Sequence, residues 1–232
     1  MPAVARESRT DVENRTVKLG AIAFITEDSI SPIELAAALE HHGFKSFWAG
    51  DHSHIPIDPT IGPEAVGTRT GRPVRRDHSR LMDPFVVLAQ AAAATSDLRL
   101  GTSVCLVNER DPITTAKQVA TRDVLSGGCF KFGIGAGWNE QEMRDHGADP
   151  RVKYASMRER VGAMVEIWTQ EQAEYHGRHV EFGPMLCRPK PAQRTHPPIY
   201  VGGNWKNIPR VVEYADVWIP STTVLPAEAF LE

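Results

Sequence analysis

The sequence lacks three features that would each have indicated a particular class of protein. No run approaches the roughly 18 apolar residues that a membrane-spanning helix needs. Residues 1–17 are polar and charged, without the apolar stretch of a secretory signal. The 26 Lys and Arg residues are outnumbered by 29 Asp and Glu residues, for a net charge of -3, so no broad positive field would attract nucleic-acid phosphates. We therefore expect a cytoplasmic protein with neither a membrane nor a nucleic acid as partner.

Cysteine is also scarce, and its three residues are scattered at Cys105, Cys129 and Cys187. Two of them fall in apolar, strand-like runs, where a small buried thiol is a more common role than redox chemistry or metal binding. This usage suits a reducing compartment. No internal repeat, low-complexity tract or domain boundary interrupts the chain. We expect a flexible leader over residues 1–17 and a single domain over 18–232.

What the sequence does contain is a steady alternation of short apolar runs and helix-like segments. Runs of nearly continuous apolar residues separated by helices indicate a parallel sheet covered by helices. Helix starts are marked by a capping Ser or Asp followed by Pro, which has no amide hydrogen to leave unpaired. These pairs are Ser31-Pro32, Asp83-Pro84, Asp111-Pro112 and Asp149-Pro150. The predicted strands lie within residues 18–24, 46–49, 98–105, 129–135, 199–203 and 216–220, with a long polar loop up to Met82 and a small hairpin around 175–182.

Two parallel architectures fit this alternation. A doubly wound nucleotide-binding fold would place a glycine fingerprint after its first strand, but here residues 26–29 read TEDS. Polar and glycine-rich residues instead follow strands two to six, which is typical of a (β/α)8 barrel with its site at many strand ends. We therefore predict an α/β fold of the TIM-barrel type. About six strand–helix units are visible, so the barrel is expected to be short at the C-terminus.

The segment 125–142 is the richest in site-like features. Its glycines at 133, 135 and 137 leave one edge of a strand end without side chains, where a flat ring or a phosphate could approach the backbone. Asn139 is a plausible helix N-cap, with Glu142 three residues later, so free amide hydrogens would be presented beside the glycines. The same glycines are also compatible with a turn that only serves packing.

Several phrases, in a fixed order between residues 18 and 220, resemble the luciferase-like monooxygenase superfamily, specifically its branch of coenzyme F420-dependent oxidoreductases. The longest are SFWAGDH at 46–52 and the segment from Ser126 to Glu140. Shorter ones lie at 146–150 (HGADP), 158–160 (RER), 166–168 (EIW), 189–191 (PKP), 198–204 (PIYVGGN) and 215–218 (ADVW). Each phrase alone is weak, but the ordered set is specific.

The resemblance implies a bacterial luciferase-like barrel that binds a deazaflavin, or FMN, across the C-terminal ends of its strands. It makes His52 and Asp51 the candidate catalytic residues beside the ring, with His52 relaying a proton as hydride moves. Asp51 could hold the tautomer of His52 or only cap a turn. It also implies a non-proline cis peptide near Ser103-Val104. The remaining candidate cofactor-binding residues are Gly135, Gly137, Trp138 and Asn139 along the ring, and Gly202, Gly203 and Asn204 at the phosphate tail.

Two departures from the family narrow the expected activity. Sugar-phosphate dehydrogenases of the family carry an acidic glutamate where this chain has Trp138, so a sugar phosphate is not the expected substrate. The C-terminal strands are also missing, which fits either a natural short form or a fragment that needs a partner chain. Because an open parallel edge invites pairing, we expect a homodimer or another oligomer.

The function that we predict is that of an F420-dependent oxidoreductase acting on a small organic alcohol, carbonyl or alkene. The alternatives are an FMN-dependent monooxygenase and an inactive short homologue that only binds the cofactor. A metal-dependent hydrolase could begin its ligand set with His52 and His54, but the later strand ends supply no further ligands. The loop arginines Arg72, Arg75, Arg76 and Arg80 could pair with the acidic tail of F420, although a solvated loop is the more common role.

Overall fold

The central feature of the computed structural model is a parallel sheet that carries helices on one face. The structure describes residues 17–57, 65–69 and 72–221, and for 65–69 and 72–77 the backbone alone; the predicted leader falls almost wholly outside these ranges. The strands of the sheet, in chain order, are β1 (Gly20–Ala23), β2 (Ser46–Ala49), β5 (Arg99–Thr102), β6 (Cys105–Leu106), β7 (Phe130–Gly135), β10 (Ile199–Gly203) and β11 (Val217–Pro220).

The strand order within this sheet is β1-β2-β5-β7-β10-β11, and every pairing is parallel. The short β6 pairs with β7 beyond the end of β5. Each new strand is therefore added on the same side of the preceding one, whereas a doubly wound sheet reverses direction at a switch point. Successive addition in one direction is the topology of a (β/α) barrel, and it confirms the predicted fold class.

The helices begin where the sequence predicted. They are α1 (Pro32–His41), α2 (Pro84–Ala93), α3 (Pro112–Leu125), α4 (Glu140–Asp145), α5 (Lys153–Thr169) and α6 (Ile208–Tyr214). The side chains of Ser31, Asp83 and Asp111 accept amide hydrogens of α1, α2 and α3, and Asp149 caps a 3₁₀ turn that leads into α5. None of the helices in the described ranges is long and apolar enough to cross a membrane.

Two predicted segments differ from the structure. The polar loop before Met82 contains an antiparallel hairpin, β3 (Ala65–Arg69) with β4 (Arg72–Arg75), and a 3₁₀ turn at Arg76–Arg80. The predicted strand at 98–105 is broken into β5 and β6 by a cis peptide between Ser103 and Val104. The hairpin predicted near residues 175–182 is present as β8 (Gln172–His176) and β9 (Glu181–Leu186).

The two faces of the sheet bury different kinds of side chain. On the helix-covered face, Phe47, Phe130 and Phe132 are fully buried in one core with Leu88 of α2 and Met164 of α5. Alternate residues point to the other face. There Trp48 packs edge-on against Tyr200 at 5.3 Å between ring centroids, and Lys131 Nζ donates to the Tyr200 hydroxyl at 2.7 Å. The thiol of Cys105 is buried, as predicted, and burial raises its pKa well above the usual value.

Candidate active site

The parallel register brings the predicted site residues to one end of the sheet. Strands that run in the same direction end at the same edge, so the segments that follow them are neighbours. The loops concerned carry Asp51-His52 after β2, Ser103-Val104 after β5, Gly135 to Asn139 at the end of β7, and Gly202 to Asn204 at the end of β10. Within this set, side-chain contacts join His52 to Trp138 and Val104 to both Gly135 and Gly202.

His52 is held through both ring nitrogens. Its Nδ1 lies 2.8 Å from Glu142 Oε2, and its Nε2 accepts a hydrogen bond from Trp138 Nε1 at 3.2 Å. The indole N–H can only donate, so Nε2 carries a lone pair and, in the neutral ring, the proton is on Nδ1. The side chain of His52 is 9% exposed. The site therefore contains a nearly buried imidazole whose Nε2 is a proton acceptor facing Trp138.

The carboxylate of Glu142 binds His52 and the Ser53 amide, whereas the sequence predicted that it would take part in a helix cap with Asn139. Asn139 does cap α4, accepting from the amides of Gln141 and Glu142 at 3.1 and 3.3 Å. The Glu142 carboxylate, however, is fully buried and turns to the β2 loop, where Oε1 accepts from the Ser53 amide at 3.1 Å and Oε2 binds His52. A glutamate at the first turn of a helix beside the glycine loop was the only signal in the sequence.

Glu109 is a second buried carboxyl beside Glu142, and the sequence prediction missed it. It ends the 3₁₀ turn Val107–Glu109 that follows β6, and only 8% of its surface is exposed. Burial raises the pKa of Glu109 to about 9, with further contributions from the charges of Glu142 and Asp51 and from a hydrogen bond to Glu142. Among the described residues, no donor hydrogen-bonds its Oε1 atom. Burial and the neighbouring carboxylates thus favour the protonated form of Glu109.

Asp51 faces away from this cluster. Both of its carboxylate oxygens are bound by Arg110, at 2.7 Å from Nη2 and 2.9 Å from Nε, and Oδ2 also accepts from the Leu106 amide at 3.0 Å. Arg110 Nη2 reaches Asp83 Oδ2 at 2.9 Å as well. The sequence left open whether Asp51 fixes the tautomer of His52 or caps a turn. In the structure Glu142 binds His52 Nδ1, and Asp51 is part of an ion pair that ties the ends of β2 and β6 together.

The glycines at the strand ends serve a different purpose from the one expected. A Cβ on Gly135 or Gly202 would lie 2.5 Å from a methyl group of Val104, and a Cβ on Gly133 would lie 1.9 Å from the carbonyl oxygen of Thr102. The cis peptide that the resemblance implied directs Val104 between the two neighbouring strand ends. The missing side chains thus make room for Val104 and for the β5 backbone, and the half-buried Val104 forms the floor there.

Gly137 and Trp138 are fixed in place by residues from other elements. Gly137 adopts φ +86°, a conformation that favours glycine. Its carbonyl oxygen accepts from Lys153 Nζ at 3.1 Å, and the preceding carbonyl of Ala136 accepts from Asn108 Nδ2 at 3.0 Å. These bonds orient the turn so that Trp138 lies half-buried against His52, with 5.5 Å between ring centroids. Trp138 therefore packs against the imidazole of His52, and its role as a wall of a cofactor site stays a prediction.

The segment expected at a phosphate tail forms a tight turn. Gly203 has φ +123°, and its carbonyl oxygen accepts from Trp218 Nε1 at 3.0 Å. Asn204 caps the 3₁₀ turn Trp205–Asn207 by accepting from the Lys206 amide at 3.1 Å. Asn207 Nδ2 holds the Gly202 carbonyl oxygen at 2.8 Å. This hydrogen-bonded turn lies at the same edge of the sheet as Asp51 and His52, and its role in holding a phosphate stays a prediction.

Two other predictions can be compared with the described side chains. Arg80 is paired with Glu27 at 2.8 Å and with Asp28, so it is engaged within the protein; the side chains of Arg72, Arg75 and Arg76 lie outside the described part. His52 and His54 bind separate carboxylates, Glu142 and Asp145. Nowhere in the described ranges do three or more His, Cys, Asp or Glu residues converge in a way that could hold a metal ion.

A cavity of about 260 Å³ opens beside His52. Asp51, Asp83 and Arg110 form one part of its wall, and His52, Glu109 and His146 form another part. The Asp51–Arg110 ion pair and the Glu109 carboxyl therefore line the same polar space. Its position next to the imidazole, at the C-terminal ends of the strands, is where barrel proteins assemble their active sites.

Together, the one-directional parallel sheet and the strand-end cluster define a barrel-type α/β protein with its site at the C-terminal ends of the strands. The chain belongs to the luciferase-like monooxygenase family, whose sequence model matches residues 27–230. Members of this family are oxidoreductases or monooxygenases that depend on F420 or on a flavin. The recognition made from the ordered motifs is therefore confirmed.

Some relatives of this chain are named as FMNH(2)-dependent enzymes and others as F420-dependent enzymes. An uncharacterized protein of Mycobacterium tuberculosis, Rv0953c, is 41% identical over 202 residues, which cover 86% of this chain and 71% of that protein. The FMNH(2)-dependent dimethylsulfone monooxygenase of Pseudomonas putida is 34% identical over 115 residues, covering 48% and 31%. The F420-dependent hydroxymycolic acid dehydrogenase of Mycobacterium tuberculosis is 26% identical over 188 residues, covering 79% and 47%.

Among solved structures, an F420-dependent secondary alcohol dehydrogenase in complex with an F420-acetone adduct superposes with a TM-score of 0.69 at 20% identity. The match covers 89% of this chain and 58% of that chain. At this identity the likeness concerns the fold alone. The chain thus spans little more than half the length of this luciferase-like barrel protein.

Proposed function

We propose that this chain is an F420-dependent oxidoreductase that transfers a hydride between the deazaflavin and a small organic alcohol, carbonyl or alkene. The observation that carries the proposal is the imidazole of His52, which lines the cavity, is bound at Nδ1 by Glu142 at 2.8 Å and acts as an acceptor at Nε2. Hydride transfer to or from an alcohol carbon must be balanced by a proton at oxygen, and a positioned histidine can accept or return it at neutral pH.

The residues at the strand ends fit a flat, phosphate-bearing cofactor. Val104 offers an apolar floor, and Trp138 with His52 offers a side wall. The turn of Gly203 and Asn204 suits the phosphate end, since its backbone has glycine freedom and lies at the same edge. When bound, F420 supplies the carbon that accepts or gives the hydride.

His52 would accept the proton of a substrate hydroxyl at Nε2. A substrate hydroxyl takes the place of Trp138 Nε1 as the donor to Nε2. The O–H proton of an alcohol substrate would move to Nε2 as the carbonyl forms, while F420, when bound, would supply the carbon that takes up the hydride. The imidazolium is then stabilised by the carboxylate of Glu142 at Nδ1. Trp138 and the buried strand ends limit the water that reaches this nitrogen.

FMN-dependent monooxygenation is the second candidate. It is favoured by the relative named as an FMNH(2)-dependent monooxygenase, which has the higher identity over a shorter match than the F420-dependent one. The same floor and wall would accept an isoalloxazine ring. In this reaction His52 would be expected to protonate oxygen-derived groups rather than to accept a proton from an alcohol.

The proposal also includes assembly into a homodimer or another oligomer. Apolar side chains along and beside β1 support it, because Val17, Leu19, Ile22 and Phe24 are each more than half exposed. Sedimentation equilibrium of the purified chain measures the assembly directly. A monomer at all concentrations would contradict this part of the proposal.

Titration of the purified chain with F420 and, separately, with FMN tests the function. Saturable, stoichiometric binding of F420 that is tighter than that of FMN is the expected result. Tighter binding of FMN would transfer the proposal to the monooxygenase, and binding of neither would contradict both.

Variants of two nearby histidines then test the acid–base role in a screen of small alcohols, ketones and alkenes. His52→Ala should keep cofactor binding and lower turnover by about 100-fold or more, as expected for loss of general acid–base catalysis. His54→Ala is the matched control, because its side chain is exposed and pairs with Asp145 on the surface. Equal losses in the two variants would exclude a specific role for His52.

A further inference from the structure

Two buried carboxyl groups, those of Glu142 and Glu109, lie behind His52, and the proton transfer proposed for His52 gives Glu109 no role. Glu142 is completely buried, and Glu109 is 8% exposed and hydrogen-bonded to it. Two carboxylates in contact and away from water cannot both hold a full charge at low cost, so such a pair shares a proton. The question is which member carries it, because that decides the charge that His52 faces.

The hydrogen bonds of Glu142 answer this question. It already accepts from His52 Nδ1 and from the Ser53 amide, both of which are donors that favour an ionised carboxylate. Glu109, in contrast, has a buried oxygen that no described donor reaches. A proton on Glu109 removes the charge from a carboxyl that lacks a described donor and makes the group a donor to Glu142.

We propose that Glu109 holds the shared proton and donates it in a hydrogen bond to Glu142, and that Glu142 is thereby the positioning residue that fixes His52 as the Nδ1–H tautomer. With three donors around it, Glu142 remains an ionised carboxylate in a buried place. The single negative charge of the pair then faces the imidazole. This inference deepens the proposed function, since it rests on His52 being the acid–base group of that site.

Three other charged or titratable side chains lie near the cluster: His78, Arg110 and Asp51. The ring of His78 lies 6.0 Å from that of His52. On the side of Glu109, the next residue, Arg110, lowers the pKa of Glu109, and Asp51 raises it; their effects are smaller than burial and the contact with Glu142. Arg110 is itself bound by Asp51 and Asp83.

The location of Glu109 gives the proton a route to solvent. Glu109 lines the 260 Å³ cavity together with His52, whereas Glu142 lies behind them. A proton that arrives at His52 Nε2 can be balanced by release of the Nδ1 proton to Glu142, and the pair can exchange protons with water in the cavity through Glu109. No bond between heavy atoms changes in this exchange.

The test is ¹⁵N NMR of the full chain labelled at histidine, without cofactor or substrate. The signals of His52, among nine histidines, are assigned by their loss in His52→Asn. The expected result at pH 7 is a neutral ring with Nδ1 protonated and Nε2 bare. The opposite tautomer would overturn the proposal, and this measurement needs no variant of either glutamate to fold.

Two matched variants then decide where the charge lies. Glu142→Gln removes the charge facing His52 and puts a side-chain amide there that can itself donate, so the Nδ1–H form of His52 should be partly lost from the ¹⁵N spectrum. Glu109→Gln replaces a protonated carboxyl by a neutral amide that can still donate to Glu142, so the Nδ1–H form should be retained. A loss in Glu109→Gln as large as in Glu142→Gln would place the charge on Glu109 and overturn the proposal.

The NMR test of the carboxyl pair and the binding test of the proposed function can fail independently of each other. Correct tautomer and variant spectra combined with no binding of F420 or FMN would leave the carboxyl pair established and the oxidoreductase contradicted. Tight F420 binding with the Nε2–H tautomer would do the reverse.

Discussion

The two walls of the cavity both bury carboxylates, but they neutralise them in different ways. On one wall Asp51 and Asp83 share the guanidinium of Arg110. On the other wall Glu109 lies against Glu142, and the partner of Glu142 is the imidazole of His52. Arginine does not release its proton in proteins, so the first wall has a fixed charge pattern. An imidazole exchanges protons near neutral pH, and burial raises the pKa of Glu109 above its ordinary value, so the second wall is the one suited to proton transfer.

The first wall should be the more sensitive to loss of its cation. Arg110→Met leaves Asp51 buried without its partner, and we expect a loss of about 3–5 kcal/mol in the free energy of unfolding. Urea denaturation followed by circular dichroism measures it. Arg144→Met is the matched control, because Arg144 forms an exposed pair with Glu140 one helical turn away and its removal should leave the midpoint nearly unchanged. Equal midpoints for the two variants would show that the Asp51–Arg110 pair is not a structural tie.

The second wall should make stability depend on pH. The pKa of Glu109 is raised from its ordinary value of 4.5 to about 9 in the folded chain. The folded state therefore binds a proton that the unfolded state has released, so this contribution is complete below pH 4.5 and is lost as the pH rises towards 9. Glu109→Gln removes the titration, and its stability relative to the wild type should increase steadily between pH 5 and pH 9.

Urea midpoints of both proteins at pH 5, 7 and 9 check this slope. Glu27→Gln is a suitable control, because Glu27 is an exposed partner of Arg80 with a lowered pKa and should not reproduce the trend above pH 5. A constant difference between Glu109→Gln and the wild type across the range would mean that Glu109 is ionised in the folded chain.

Asp51→Asn separates the two walls directly. It removes the charge that binds Arg110 but leaves the backbone loop of His52 in place, so we expect a loss of about 2 kcal/mol in stability, the scale of a charge-assisted hydrogen bond. The ¹⁵N pattern of His52 should be unchanged, because Glu142 rather than Asp51 binds Nδ1. A change of tautomer in this variant would restore the earlier possibility that Asp51 orients the histidine.

Local signals explain why the sequence predicted the fold well. The Ser-Pro and Asp-Pro starts of the helices depend on residues within one turn, and the strands are apolar runs of four to six residues. The order of strands followed from placing polar residues at successive strand ends. The hairpin of β3 and β4 was missed because its sequence is polar and offers no apolar alternation.

The site was harder to predict because its decisive contacts join distant parts of the chain. His52 and Glu142 are 90 residues apart, and Asp51 and Arg110 are 59 residues apart. The sequence named His52 and Trp138 as candidates that the structure brings together, but it expected Glu142 only in a helix cap and left the partner of Asp51 open. It also could not indicate that Val104 occupies the space left by Gly135 and Gly202, since that contact depends on how β5 ends. Short-range patterns do not contain this information.

The smallest expected effect concerns Trp138, which covers the proton-accepting nitrogen of the second wall. Its Nε1–H donates to Nε2, so Trp138→Phe should remove this bond and move the ¹⁵N resonance of Nε2 further from that of a protonated ring nitrogen. The ¹⁵N spectrum of the labelled protein at pH 7 measures this change. Trp205→Phe is the control, because Trp205 is exposed in the turn after β10. An unchanged Nε2 resonance in Trp138→Phe would mean that Nε2 is already open to solvent, so that a substrate hydroxyl would not need to displace the indole.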